Sequence, residues 1–292
     1  MSRSPESTPV LDEHPVDLPQ HLSRFEVLPL GRSEEEAAEL DQAVRLTVTC
    51  SPKHGPDRSV EVAGRLSGLG HAVTVHLAAR MVRDRPHLDE LLEAMAARGV
   101  EDVLLIGGDA TPPHGEYSSA GDLLPVICDH PTRPAEIGIG GYPEGHPFVD
   151  SSTLAEALER KSRLATYITT QLCFDADTLL AWIRETRERG VSLPIIVGIP
   201  GVVDRRKLLE VSMRIGVGPS LAFVRKQRGL RKLLGGSTSA ADRLHDALAP
   251  CVDDPELGIA GFHYYTFNQL VDTWRWEREK RGATAPSEEA VT

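Results

Sequence analysis

Short apolar runs alternate with longer amphipathic stretches along most of the chain. The short runs have the length and composition of buried β-strands. Eight strands are predicted, at 25–30 (FEVLPL), 45–50 (RLTVTC), 72–77 (AVTVHL), 102–106 (DVLLI), 136–141 (EIGIGG), 167–174 (YITTQLCF), 193–199 (LPIIVGI) and 259–266 (IAGFHYYT). The longer stretches repeat apolar residues at helical spacing. They predict helices at 33–43, 59–66, 88–98, 152–165, 176–189 and 204–215, with Ser152 and Asp204 as N-caps.

Strands that alternate with helices indicate a parallel sheet. Eight units can close a (β/α)8 barrel, and a chain of 292 residues suits a fold that needs about 250. A doubly wound open sheet is the alternative, which periodicity alone does not exclude, although no G-x-G-x-x-G turn follows the first strand. We predict an α/β protein with a single (β/α)8 TIM barrel at 21–282. An extra helical segment is expected within 216–250, between strands seven and eight.

Both ends of the chain lack this periodicity. Residues 1–20 are rich in Pro, Ser, Asp and Glu, and residues 283–292 are similar, so disordered tails are predicted. The net charge of −11 argues against nucleic acid and anionic membranes as partners. No apolar run approaches the roughly 18 residues of a membrane span, and no signal-peptide core is evident. A cytoplasmic protein is expected.

The four cysteines, Cys50, Cys128, Cys173 and Cys251, are widely spaced and form no CxxC pair. Two of them fall inside predicted strands, and all four are interpreted as buried reduced thiols. The sequence has no cluster of His, Cys and carboxylate residues with metal-ligand spacing, so no metal site is predicted.

Polar residues that packing does not require lie near the ends of seven of the eight predicted strands. The catalytic groups of a TIM barrel come from the carboxyl ends of its strands. We therefore expect these side chains to converge on one rim and to bind a polar, ring-shaped substrate. They are Glu26, Thr49, His76, Asp109, Tyr142 with His146, Gln171, and Tyr265 with Asn268.

Glu26 is the most informative of these residues. It lies between Phe25 and Val27, and it points into the barrel if those two apolar neighbours face the helices. A carboxyl in that place is desolvated, which raises its pKa and keeps a proton available near neutral pH. General acid catalysis needs such a group. The alternative is a structural ion pair with an Arg or Lys that lines the barrel.

The other candidates also have structural alternatives. Asp109 follows two glycines that allow close approach of a ligand, but Asp also starts turns and caps helices. The amide of Gln171 can recognise the edge of an amide-like ring, or it can be a satisfied buried group. His76 and His146 could be purely structural. The basic run 225–232 (RKQRGLRK) could hold cofactor phosphates or the glutamate tail of a folate, or it could be a solvated helix face.

The segments around these residues resemble, in order and spacing, those of methylenetetrahydrofolate reductases. FEVLP is similar to FEFFPP, VTVHL to the third-strand segment with its histidine, and LLIGGDATPP to the LRGDxPP turn. IGIGGYPEGHP is similar to AxYPExHP, ITTQLCFD to ITQxFFD, and GFHYYTFN to FHFYTLN. The resemblance covers most of residues 24–282, and the last three motifs are fairly specific when taken together.

This resemblance implies a barrel that reduces methylenetetrahydrofolate to methyltetrahydrofolate. Glu26 would protonate the folate nitrogen that leaves as the five-membered ring opens, and the resulting iminium would accept a hydride. Asp109 would lie beside the pterin, and Gln171 would hydrogen-bond the folate or the hydride donor, so these three form the predicted catalytic set. Asp109, Gln171, Tyr265 and Asn268 are the predicted substrate-binding residues. The predicted cofactor-binding residues are Thr49, His76, Gly108, Tyr142, His146 and Lys161.

Three positions depart from the family pattern at places that hold FAD in most members. Gly107 replaces the arginine of the RGD turn, Leu154 replaces an acidic residue seven places before Lys161, and Val211 replaces a stacking phenylalanine. Loss of an arginine–phosphate contact removes a strong charge-assisted interaction. We therefore expect weak or absent flavin binding and direct hydride transfer from NADH or NADPH, as is thought for some actinobacterial relatives. The alternatives are a conventional FAD-dependent reductase, a deazaflavin-dependent enzyme and a non-catalytic folate-binding barrel.

Overall fold

Eight parallel strands form a closed barrel in the computed structural model, which describes residues 22–30, 32–146, 148–202, 240–252 and 254–284. Each strand pairs with the next one in the chain, and pairing of β8 with β1 closes the ring. The predicted barrel is confirmed and the open-sheet alternative is wrong. The strands are β1 Leu22–Val27, β2 Arg45–Val48, β3 Ala72–Ala78, β4 Asp102–Ile106, β5 Glu136–Gly141, β6 Tyr167–Thr170, β7 Ile195–Pro200 and β8 Ile259–Tyr265.

Helices connect the strands and surround the ring. They are α1 Ser33–Ala38, α2 Gly55–Gly68, α3 Arg85–Ala96, α4 Ala120–Cys128, α5 Ser151–Ser162, α6 Ala176–Glu188, α7 Ala240–Leu248 and α8 Leu270–Thr284. Helix α7 is the described part of the segment expected between strands seven and eight. The predicted helix at 204–215, Val211, the basic run 225–232 and the tail at 1–20 lie outside the described residues, as does the C-terminal tail beyond Thr284.

Some predicted boundaries are wrong for local reasons. Strand β1 ends at Val27, since the following Pro29 has no N–H to give to a ladder. Strand β6 ends at Thr170, because the chain then turns toward Asp175, which caps α6 through the N–H of Thr178. Helix α5 begins at Ser151, so its N-cap is not Ser152. Its N-cap is Asp150, whose Oδ1 accepts from the Thr153 N–H at 2.9 Å.

The apolar side chains form two separate cores. The larger one lies between the sheet and the helices, and the smaller one fills the lumen with Leu104, Tyr167 and Ile196. A side chain at Gly138 would clash with the ring of Tyr167, so this glycine leaves the space that the buried tyrosine occupies. Large side chains fill the lower barrel, which is therefore a packed interior and not a channel.

A buried ionic network lies below this lumen core, at the amino-terminal ends of the strands. The guanidinium of Arg24 is 1% exposed, and its Nη1 donates to Asp102 at 2.8 Å and to Tyr167 at 2.9 Å. Arg45 contacts the same Asp102 carboxylate at 3.0 Å, and both arginines reach Glu136. Each charge is therefore paired, as burial requires.

All four cysteines are free thiols. Cys173 is buried, but Cys50, Cys128 and Cys251 are only partly buried, and Cys50 and Cys173 follow β2 and β6 instead of lying inside them. Across the described ranges, no helix combines the length and the apolar character needed to cross a bilayer.

Arg24→Met should lower the free energy of unfolding by about 3–5 kcal/mol, because it leaves the buried Asp102 carboxylate with fewer partners. Urea denaturation followed by circular dichroism measures the change. Arg45→Met is the matched control, and it should cost less because Arg45 is 16% exposed. An equal or smaller loss in Arg24→Met than in the control would contradict the assignment of Arg24 as the centre of the network.

Candidate active site

Strand β1 places Glu26 inside the barrel. Successive side chains of a strand point to opposite faces, and Phe25 and Val27 are buried in the core between the sheet and the helices. Arg24 and Glu26 therefore face the lumen, with Arg24 in the floor and Glu26 nearer the mouth. The side chain of Glu26 keeps 14% exposure. The carboxyl thus has the inward direction that the sequence predicts, and its ionic neighbour is not an arginine.

Two buried histidines flank the Glu26 carboxyl. In His263 of β8, Nε2 lies 3.6 Å from Oε2 of Glu26, and the side chain is 1% exposed. The ring of His76 in β3 stacks on that of His263 at a centroid distance of 6.4 Å. Within the described part of the chain, Nε2 of His76 and both ring nitrogens of His263 have no hydrogen-bond partner. The middle of the lumen therefore holds a carboxyl group among unpaired polar atoms.

The protonation states follow from burial. Burial raises the pKa of Glu26 to about 7, against a smaller opposing effect of His76. Burial lowers the pKa of His76 to about 4. Burial and the positive charge of Arg24 lower the pKa of His263 to about 3. Near neutral pH both imidazoles are neutral, and a substantial fraction of Glu26 carries the proton that general acid catalysis needs.

Tyr265 lies beside His263 in the lumen. Its hydroxyl donates to the carbonyl of Thr170 at 3.2 Å, and its ring meets that of His263 edge-on at 4.7 Å. A Cβ at Gly198 would approach the Tyr265 ring to 2.9 Å, so the glycine of β7 makes room for this ring. Burial, followed by the charge of Glu26, raises the pKa of Tyr265 well above its usual range. Tyr265 is therefore a neutral neighbour of the acid.

Threonines supply further unpaired groups in the lumen. Thr47 pairs with Glu26 in the register of β1 and β2, and Thr49 donates its N–H to the carbonyl of Val27 at 3.0 Å. The hydroxyls of Thr47, Thr49 and Thr169 have no partner in the described ranges. Buried polar atoms without partners are rare in proteins, and a bound ligand or ordered water usually satisfies them.

Asp109, Tyr142 and His146 lie together on another part of the rim. The rings of Tyr142 and His146 meet edge-on at 5.4 Å. Burial, followed by the charge of Asp109, raises the pKa of Tyr142. Asp109 itself is exposed. Gly108 before it has φ of +84°, and a Cβ there would lie 2.8 Å from that of Ala78, so only glycine fits this turn.

Gln171 and Asn268 complete the rim. The Gln171 N–H donates to the carbonyl of Gly141 at 2.7 Å, and its side chain is exposed at the mouth. Asn268 is also exposed and, with Phe267, adopts positive φ, 62° and 51° respectively. Such a conformation is unfavourable for a bulky residue such as Phe267. The chain leaving β8 therefore turns sharply where it presents Asn268 to solvent.

Lys161 lies apart from these residues. It is ten residues beyond Ser151 in α5, which corresponds to about 15 Å along the helix axis. It lines a groove of about 360 Å³ between α5 and α6, together with Leu154 and Trp182. Burial, followed by the neighbouring Arg160, lowers the pKa of Lys161 to about 8. The groove reaches the rim at Tyr142, so a contact of Lys161 with a cofactor would need an extended molecule.

His263 is the main site residue that the sequence reasoning did not single out. A signal was present, because His263 stands two positions before Tyr265 and therefore faces the same side of β8. Thr47 and Thr169 follow the same inward alternation on β2 and β6. They read as ordinary strand residues, since threonine is common in strands.

The sequence profile of the methylenetetrahydrofolate reductase family matches residues 57–272. The chain belongs to this family. It is 26% identical over 234 residues to methylenetetrahydrofolate reductase (NADH) 1 of Arabidopsis thaliana, covering 73% of this chain and 38% of that protein. It is 30% identical over 207 residues to methylenetetrahydrofolate reductase 2 of Saccharomyces cerevisiae, covering 67% of this chain and 31% of that protein. The chain thus spans about a third of the length of these two curated relatives.

A solved structure is also similar to this methylenetetrahydrofolate reductase family member. It is an uncharacterized protein from Clostridium thermocellum that binds two copies of 5-methyl-5,6,7,8-tetrahydrofolic acid. The TM-score is 0.63 at 11% identity, over 90% of this chain and 97% of that chain. This likeness supports the barrel fold.

The residues at the expected flavin positions fit that cofactor poorly. Gly107 follows β4, and a Cβ built there meets nothing within 4 Å, so the place of the family arginine is open space. Leu154 presents an apolar side chain to the groove that also contains Lys161. The described rim therefore lacks two charged side chains at the positions where the family resemblance places contacts to flavin.

The free energy of unfolding of Glu26→Gln, relative to that of wild type, should increase as the pH rises. A carboxyl whose pKa is raised from 4.5 to about 7 on folding adds stability that is complete below its unfolded pKa. That contribution is lost as the pH rises through the folded pKa, by about 3 kcal/mol in total. Urea denaturation at about pH 5 and about pH 8 measures this difference between wild type and variant. The exposed Glu93→Gln is the control. A difference between Glu26→Gln and wild type that does not change with pH would contradict the raised pKa of Glu26.

Proposed function

We propose that this chain reduces 5,10-methylenetetrahydrofolate to 5-methyltetrahydrofolate with NADH or NADPH as the hydride donor. Membership of the family supports the reaction type. The observation that carries the proposal is the buried carboxyl of Glu26, whose pKa of about 7 makes it a proton donor at neutral pH. A barrel that only bound folate would gain little from keeping an acid in a dry lumen.

The proton and hydride steps have a clear order in this mechanism. Glu26 gives its proton to the folate nitrogen that leaves, and the bond between that nitrogen and the methylene carbon breaks. The remaining folate nitrogen and the methylene carbon then form an iminium. A hydride from the reduced nicotinamide adds to this carbon and forms the methyl group. Glu26 is left as a carboxylate and takes up one proton from solvent before the next turnover.

The rim residues take supporting roles. Asp109 lies beside the pterin and, with Gln171, Tyr265 and Asn268, binds the folate. The exposed side chains of Asp109, Gln171 and Asn268 are available for contacts from the solvent side. Thr49, His76, Gly108, Tyr142 and His146 line the space for the nicotinamide. Lys161 contacts a distant part of the same nucleotide through the groove that opens at Tyr142.

Direct transfer without flavin is the favoured version of this reaction. The open space at Gly107 and the apolar Leu154 support it, because neither residue can contribute a charge to flavin binding. The nicotinamide then occupies the place that the flavin ring would take. The conventional FAD-dependent reaction uses the same acid, so the hydride donor is tested separately from the proton donor.

Glu26→Gln should abolish reduction of methylenetetrahydrofolate and leave folate binding within a few-fold of wild type. The amide keeps the shape of the side chain but has no proton of suitable acidity. Anaerobic turnover with NADH and with NADPH, each with and without added FAD, measures the activity, and calorimetric titration with the folate measures binding. Glu93→Gln should retain full activity. Turnover by Glu26→Gln close to that of wild type would remove the mechanism.

Purified protein should show no stoichiometric flavin absorbance, and its turnover should not depend on added FAD. Gly107→Arg should increase the affinity for FAD by about tenfold or more, since a hydrogen bond to a charged group contributes about 1.5–3 kcal/mol. Fluorescence titration with FAD at low ionic strength measures the affinity. Gly107→Gln has a similar size without the charge and is the matched control. A stoichiometric flavin band in wild type would reverse the preference for direct transfer.

A further inference from the structure

The imidazole of His263 is buried without the hydrogen bonds that a buried polar group normally forms. Its side chain is 1% exposed, yet neither ring nitrogen has a hydrogen-bond partner in the described ranges. A buried polar group without a partner costs about 1–3 kcal/mol. Leucine or phenylalanine would fill an apolar lumen without that cost. A histidine at this place therefore calls for a role that packing does not supply.

The groups that surround Glu26 limit what this role can be. The facing residue of β2 is Thr47, which does not titrate, and β3 contributes His76. Strand β8 contributes His263 and Tyr265, and β7 faces His263 with Gly198, which has no side chain. The floor contributes the positive charge of Arg24, which acts on His263, and the negative charge of Asp102, which acts on His76. Of these groups, His263 is the one with a nitrogen within 4 Å of the carboxyl.

We propose that His263 is a positioning residue for Glu26: as the neutral Nε2–H tautomer, it donates to Oε2 of the carboxyl. This contact leaves the acidic proton on the other oxygen, from which it can pass to the substrate. The same N–H stabilises the carboxylate that remains after the proton has left. The inference rests on the proposed reaction, in which Glu26 is the acid.

The other two forms of His263 would work against the reaction. With the proton on Nδ1, Nε2 would accept the Glu26 proton in a hydrogen bond and hold it away from the substrate. An imidazolium would favour the carboxylate form of Glu26 and remove the acid. Burial and the charge of Arg24 oppose that form, because they lower the pKa of His263 far below neutrality. The floor of the barrel thereby helps to keep the acid protonated.

The distance of 3.6 Å is somewhat longer than a formed hydrogen bond. Catalytic hydrogen bonds are often long before substrate binds and shorten in the complex. The imidazole meets the Tyr265 ring edge-on at 4.7 Å, and the His76 ring lies near it at a centroid distance of 6.4 Å. A shortening of this distance by roughly half an ångström therefore suffices to form the contact.

His263→Leu should lower kcat by about 10- to 100-fold with little change in KM for the folate, as expected for loss of one donor to a charged group. It should also move the alkaline limb of the pH profile of kcat/KM to higher pH, because loss of the donor raises the pKa of Glu26. His263→Gln has an amide N–H near the position of Nε2 and should recover most of kcat and the wild-type limb. His245→Gln and His245→Leu alter another buried histidine, in α7, and should change neither quantity.

An unchanged alkaline limb in His263→Leu would overturn the proposal, as would a loss of activity in His263→Gln equal to that in His263→Leu.

Nitrogen-15 NMR of the wild-type protein tests the proposal without any variant. The Nε2–H tautomer of His263 supports the proposal, and the Nδ1–H tautomer overturns it. Infrared titration of the Glu26 carboxyl band, assigned by its loss in Glu26→Gln, gives the pKa without turnover. If wild type does not reduce the folate, the proposed function fails, and these two spectroscopic measurements still decide the role of His263.

Discussion

Arg24 lies in the barrel floor, where Asp102 and Glu136 neutralise its charge and also pair with Arg45. This arrangement ties together the amino-terminal ends of β1, β2, β4 and β5, and Arg24 also donates to Thr74 of β3 and Tyr167 of β6. A buried arginine is tolerated only when its partners are fixed, so the register of these strands is constrained together. That register also fixes the positions of the residues above the floor, including Glu26 and the two histidines.

The floor also sets the electrostatics of the layer above it. The positive charge of Arg24 disfavours a second cation directly overhead, and the closed wall of strands excludes the water that would otherwise stabilise charge. The histidines are therefore neutral and the carboxyl titrates close to physiological pH. Arg24, which takes no part in the proposed reaction, thus adds to burial in keeping His263 neutral, whereas burial of the carboxyl itself raises the pKa of Glu26.

Much of this arrangement could be predicted from the sequence. The eight strands are visible as apolar runs, and the alternation of Phe25, Glu26 and Val27 places the carboxyl inward. The floor could not be predicted, because Arg24, Asp102 and Glu136 stand at strand boundaries, where charged residues normally face solvent. The role of His263 was also hidden, since it depends on the proximity of β8 and β1, which only closure of the ring creates. Strand ends such as Thr170 were misplaced because the capping residue that ends the strand, Asp175, lies five positions further on.

Closure of the ring has a further consequence for how this chemistry can diversify. In an eight-stranded ring, β1 and β8 are neighbours, whereas β5 stands opposite β1. The acid and its histidine belong to the first pair, while Gly107, Tyr142 and Leu154 follow β4 and β5 across the mouth. Gly107 and Leu154, where the chain departs from the family's flavin-binding pattern, therefore lie on the side of the mouth away from the acid. Under the proposed reaction, a change of hydride donor through these two positions would leave the strand pair that carries the acid unaltered.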